Sequence, residues 1–157
     1  MKKINTIIIG LGKIGFGYVK DYMYFRSHSY SILNNKHFRL IGGVDNSKKN
    51  RNKFEKKFKL PVYKEVPKDL YKYLDLIVIA SNTQSHYRIL KKILQNCNSK
   101  TILCEKPFTE NYHKAQKINA LNKERKNKIF VNYNRQSLPQ LKKLKSIITN
   151  DNSFFYG

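Results

Sequence analysis

A doubly wound α/β domain built on a parallel sheet is the fold class that this 157-residue sequence predicts. Short apolar runs such as Ile7-Ile8-Ile9 and Leu76-Ile77-Val78-Ile79-Ala80 carry no polar face, as strands buried on both sides require. These runs alternate with segments of helical pattern, and alternation of that kind places helices on both faces of a parallel sheet. The first run ends at a glycine-rich turn that opens the first helical segment.

Along the chain, Lys3 to Ile9 reads as the first strand and Lys13 to Phe25 as a helix after the glycine turn. Ser27 to Lys36 is polar and aromatic without a period, and reads as an insertion or extended loop. Phe38 to Val44 is the second strand, closed by Asp45. Ser47 can cap a helix running through Phe58, Leu60 to Tyr63 is a short strand, and Pro67 opens a brief turn. Leu74 to Ala80 is a fully apolar strand, followed by a helix over Thr83 to Gln95, a strand over Lys100 to Cys104 and a helix over Thr109 to Glu124. Lys128 to Tyr133 is one more strand. A boundary after it divides the chain into residues 1–133, the main domain, and residues 134–157, a crossover helix over Leu138 to Ile148 and the truncated start of a second domain at Ser153 to Tyr156.

The length suits one well-buried domain. No apolar stretch approaches the roughly 18–20 residues of a membrane span, and no leader-type segment precedes the first strand, so no membrane association and a cytoplasmic location are expected. Cys97 and Cys104 lack metal-ligand spacing; they read as reduced, semi-buried side chains, and no metal site is expected. The net charge of +22 raises the question of a nucleic-acid partner. Its even spread, as in Lys48-Lys49-Asn50-Arg51, Lys91-Lys92 and Lys142-Lys143, describes solvated helix faces instead, and no nucleic-acid partner is expected.

Gly10-Leu11-Gly12-Lys13-Ile14-Gly15 follows a strand and opens a helix, the context in which this pattern binds a dinucleotide. The first glycine permits a tight turn, the second lets backbone approach a pyrophosphate, and the third allows helix and strand to pack closely. Asp45, at the end of the second strand, is placed to bind ribose hydroxyls. It lies 30 positions beyond Gly15, against roughly 20 in the ordinary fingerprint, and the irregular stretch accounts for the excess. A carboxylate there favours NAD over NADP, although Lys48, Lys49 and Arg51 stand near enough in sequence to offset its repulsion of a 2′-phosphate. Ala80-Ser81-Asn82-Thr83-Gln84-Ser85-His86 puts small polar groups at the carboxyl edge of the sheet. By position alone His86 is a capping or packing residue or a functional one. Glu105-Lys106-Pro107 places a carboxylate and an ammonium side by side at the same edge, a pairing that is also a common surface ion pair.

In this order the motifs resemble the glucose-fructose oxidoreductase, inositol dehydrogenase and MocA-like family, and specifically its N-terminal NAD(P)-binding Rossmann domain. The resemblance implies a nicotinamide cofactor, with Gly10, Leu11, Gly12, Lys13, Ile14, Gly15 and Asp45 binding it and Ser81, Asn82 and His86 lining it. It further implies that Glu105 holds the nicotinamide ribose, that Lys106 is catalytic and also touches the cofactor, and that Arg135, in Val131-Asn132-Tyr133-Asn134-Arg135, touches substrate. The implied reaction is hydride transfer at a hydroxyl of a sugar or sugar nucleotide. The family's second domain, an open antiparallel sheet with helices, supplies further substrate-orienting groups, so activity of this chain by itself is left open. A homo-oligomer or a separate C-terminal partner chain is the companion expectation. The alternative is a non-catalytic nucleotide-binding module or a truncated remnant. The insertion, with Tyr18, Ser27 and His28, is similar to a subgroup associated with sugar metabolism. Its Tyr22 and His28 either lie over the cofactor or pack on the domain edge.

Overall fold

The computed structural model describes residues 2–17, 27–133 and 139–150, the last segment without the side chains of residues 142 and 148–150. Among the described residues six strands form one parallel sheet: β1 (Ile4–Ile9), β2 (Phe38–Val44), β3 (Val62–Tyr63), β4 (Leu76–Ile79), β5 (Thr101–Glu105) and β6 (Lys128–Asn132). Their order is β3-β2-β1-β4-β5-β6, so the chain reverses its direction of travel across the sheet between β1 and β4. Ligands of open α/β sheets bind at the carboxyl ends of the strands beside that reversal.

The helices are α1 (His28–Leu33), α2 (Lys48–Phe58), α3 (Thr83–Asn96), α4 (Tyr112–Arg125) and α5 (Pro139–Asn150). Period-two alternation explains the unbroken apolar runs. Ile7, Ile9, Ile77, Ile79, Ile102 and Cys104 face one side, against Leu90, Ile93 and Leu94 of α3 and Ile118 of α4. Ile8, Leu40 and Val78 face the other, against Phe54 of α2 and Ile32 of α1. Phe16, Phe54 and Phe58 meet edge to face on this second side, with ring centroids 5.0–5.5 Å apart. Both cysteines are buried and unbridged, and burial pushes the Cys104 thiol up to about 12. Among the described residues no helix is long and apolar enough to cross a membrane.

The stretch expected to be irregular contains a helix. Six residues are too few to show a period, and α1 is held by tertiary contacts instead. The Ser29 hydroxyl donates to the Gly15 carbonyl at 2.6 Å, Ile32 is buried, and Tyr30 lies edge to face on Phe58 at 5.4 Å. The expected helix from Lys13 begins as a wide π-type turn over Lys13–Gly17, with the Gly17 N–H donating to the Gly12 carbonyl at 2.8 Å; residues 18–25 of that expectation lie outside the described residues. Elsewhere the differences are at ends. The fourth strand starts at Leu76 because Lys68–Tyr73 forms a 3-10 turn that Leu74 terminates. α4 starts three residues late, at Tyr112, because the Asn111 side chain accepts the Lys114 N–H at 3.0 Å and caps it there. Ser153 to Tyr156 lie outside the described residues.

Candidate functional site

The three glycines of the first turn do different work. Gly10 has φ +97°, a left-handed conformation, and a Cβ there would lie 2.5 Å from the Ser81 nitrogen, so the turn sits flush against the loop after β4. At Gly15 a Cβ would collide with the Gly10 carbonyl oxygen, so a glycine there lets the Lys13–Gly17 turn pack closely on the end of β1. At Gly12 a Cβ would meet nothing within 4 Å. The backbone is bare there, and a phosphate can approach it to hydrogen-bonding distance. Lys13 and Ile14 are exposed beside it, whereas the Leu11 side chain is buried in the core.

The buried Leu11 brings its amide to Asp45. Oδ2 of Asp45 accepts the Leu11 N–H at 2.7 Å and the Asn50 side-chain amide at 3.2 Å, and Oδ1 accepts the Ser47 N–H at 2.7 Å. The carboxylate expected to meet a ribose therefore also clamps the glycine turn to the start of α2. It is half-buried, and these three donors leave one of a carboxylate's roughly four lone-pair sites open among the described residues. Arg51 is turned onto backbone, its guanidinium donating to the Asp45 carbonyl at 2.7 Å and the Asn46 carbonyl at 3.0 Å.

Gly10, Gly12 and Asp45 open onto a cleft of about 410 Å³ at the carboxyl ends of β1, β2 and β4. Its apolar floor is made by Ile9, Val44, Val66, Tyr71, Ile89 and Ile93, and its polar wall by Asn50, Ser81, Asn82 and Arg88. Glu65 on the rim is paired with Lys92. Burial raises the Tyr71 phenol to about 12, so it stays a neutral hydroxyl. Ser81 and Asn82 are thus on the cleft wall, where the Ser85 hydroxyl lies 2.8 Å from that of Ser81 and donates to the Asn82 carbonyl at 2.7 Å.

His86 departs from the expectation that it lines a cofactor. Its ring is 0 % exposed, with Nε2 at 3.0 Å from the Ser81 carbonyl and Nδ1 at 3.0 Å from that of Pro107. The ring ties the loop after β4 to the loop after β5, beneath the surface. The α3 period that buries Leu90 and Ile93 turns His86 inward on the same face.

At the end of β5 the Glu105 carboxylate is claimed from two sides. His28 Nε2 lies 2.8 Å from Oε1, and the Asn132 side-chain amide donates to the same oxygen at 2.6 Å. Burial pushes this carboxyl up, but His28, Asn132 and the Lys106 backbone N–H together outweigh burial and hold it below the usual glutamate range. Lys106 is exposed, and among the described residues its ammonium has no hydrogen bond or ion pair. The peptide bond to Pro107 is cis. Arg135, the expected substrate contact, lies outside the described residues, as do Tyr18 and Tyr22.

Asn50, Tyr71 and Asn132 were missed by sequence reasoning. Asn132 was legible in principle, because aligning the ends of β5 and β6 sets it opposite Glu105. Nothing local marks Tyr71, which reaches the cleft from the turn before β4.

The arrangement is that of a dinucleotide site, and the family model described as an oxidoreductase family with an NAD-binding Rossmann fold matches residues 4–133. The chain belongs to this glucose-fructose oxidoreductase, inositol dehydrogenase and MocA-like family. Solved structures of similar fold include the myo-inositol 2-dehydrogenase of Lactobacillus plantarum, with TM-score 0.75 and 18% identity over 95% of this chain and 42% of that one. Another is a 3-ketoreductase of Actinomadura kijaniata in complex with NADP and TDP-benzene, with TM-score 0.77 and 17% identity over 95% of this chain and 43% of that one. A third is an oxidoreductase of Klebsiella pneumoniae, with TM-score 0.73 and 22% identity over 94% of this chain and 40% of that one. The chain therefore spans well under half the length of these oxidoreductases. No curated protein sequence matches it.

Proposed function

We propose that this chain is the nucleotide-binding portion of an NAD-dependent oxidoreductase that transfers a hydride to or from a sugar or sugar-nucleotide carbon, with NADP the less favoured cofactor. The bare backbone at Gly12, beside a cleft walled by Asp45 and at the same sheet edge as Lys106, is the observation that carries the reading. The residues present fit a dinucleotide. The Gly12 turn would receive the pyrophosphate, Asp45 would accept from the adenosine ribose hydroxyls, and the apolar floor with Ile89 and Tyr71 would take the adenine. Ser81 and Asn82 line the passage toward the nicotinamide end, where Glu105 holds the second ribose. When bound, the nicotinamide supplies a hydride acceptor or donor.

Lys106 is the catalytic group in this reading. An exposed ammonium without a partner among the described residues is available to a substrate hydroxyl or carbonyl, holding its oxygen and relaying its proton. Arg135 is proposed to orient the substrate, and residues 134–157 to begin a second domain that completes the pocket. Preference for NAD is supported by Asp45, and by Arg51, which is spent on two backbone carbonyls instead of facing a 2′-phosphate. The choice of substrate is supported by the names of two neighbours, an inositol dehydrogenase and a ketoreductase holding a nucleotide-linked ligand. We assign the protein to the cytoplasm, as a homo-oligomer or with a separate C-terminal chain.

Calorimetric titration of the 157-residue chain with NADH and NADPH tests this reading. Saturable binding with NADH tighter is the expected result. A folded chain that binds neither refutes the cofactor assignment and favours a remnant that keeps only the fold.

A further inference from the structure

We propose that His28 is a positioning residue for the Glu105–Lys106 corner, delivered there by α1 as a brace between the glycine turn and the end of β5; the inference rests on the cofactor reading above. Two adjacent residues of α1 make the brace. Ser29 is fully buried and donates to the Gly15 carbonyl at 2.6 Å, which fixes the helix to the turn. His28, one residue earlier, lies 2.8 Å from Glu105 across 77 positions of sequence. Both partners are largely shielded, at 15% and 14% side-chain exposure, so the contact is not a loose surface pair.

The consequence concerns Lys106. A half-buried carboxylate needs a donor, and the ammonium of the neighbouring lysine is the flexible cation nearest to it in sequence. With His28 and Asn132 both on Oε1, Glu105 already has two side-chain donors, and Lys106 keeps an ammonium free for substrate. Remove the imidazole, and Glu105 keeps Asn132 as its one remaining side-chain donor among the described residues and competes for Lys106. His28 is not among the residues that line the adenosine cleft. Its effect is therefore confined to the nicotinamide half of a dinucleotide.

Comparing NADH with ADP, which occupies only the cradle and the adenosine cleft, isolates that half. Calorimetric titration of His28→Ala should show NADH affinity lowered roughly tenfold, the worth of one charge-assisted hydrogen bond, with ADP affinity within about twofold of wild type. His28→Gln, which restores an N–H donor without charge, should recover most of the loss. Equal weakening of both ligands reduces α1 to general support and overturns the inference. Unchanged NADH binding overturns it too, as does a selective loss that glutamine fails to rescue. A folded wild-type chain that binds neither ligand is a different failure, that of the cofactor reading itself.

Discussion

Replacing Asp45 by asparagine keeps the size of the side chain and removes one of its two acceptor atoms. In the native chain the two carboxylate oxygens take different backbone donors, Leu11 N–H on Oδ2 and Ser47 N–H on Oδ1, each at 2.7 Å. An amide presents one oxygen and one NH2 group, so whichever way the substituted side chain turns, one backbone N–H faces another donor. Hydrogen bonds to a charged acceptor contribute about 1.5–3 kcal/mol each, and the half-buried setting of Asp45 argues for the lower part of that range. Asp45→Asn should therefore cost about 2 kcal/mol and lower the Tm by roughly 4–8 °C for a domain of this size. Urea unfolding followed by circular dichroism, without any ligand, measures it. A variant within about 0.5 kcal/mol of wild type would refute the claim that this carboxylate clamps the glycine turn to α2. The same variant should bind NADH more weakly, and the ligand-free unfolding measurement keeps the two roles apart.

The glycines should separate fold from ligand in the opposite way. Gly12→Ala places a methyl in open space, so stability should change by less than about 1 kcal/mol while NADH affinity falls at least tenfold, read by calorimetry. Gly15→Ala drives a methyl into the Gly10 carbonyl and should destabilise by about 3 kcal/mol in the same urea assay. Glu105 sets a pH dependence. Its carboxyl is held below the ordinary value of 4.5, so the folded state binds that proton less readily than the unfolded chain does. The stabilisation is present above the unfolded value and disappears as pH falls through the lowered folded one. Urea midpoints of wild type and Glu105→Gln should accordingly converge as the pH is taken from about 5.5 to about 3. A gap that widens on acidification would contradict the direction of this shift.

The sheet was legible because each buried strand is an uninterrupted apolar run, and such runs report two covered faces without reference to any other part of the chain. The placement of the glycine turn and of Asp45 at the ends of the first two strands was legible for a related reason: it follows from a local order of strand, turn and helix. The short helix α1 was not. Six residues hold no period, and its contacts to Gly15 and Phe58 are made across the fold.

Within the site the division follows the same line. The linear order of Gly10 to Gly15, Asp45, Ser81-Asn82 and Glu105-Lys106 was enough to name the family with its NAD-binding Rossmann fold and to set these residues at one edge of the sheet. What each side chain does there was decided by partners distant in sequence. Asp45 bonds to Leu11 across 34 positions, Glu105 to His28 across 77, and His86 to Pro107 across 21. A sequence states which donors and acceptors exist. Only the folded sheet, by bringing strand ends together at a strand spacing of about 4.8 Å, decides which of them satisfy one another and which stay free for a ligand.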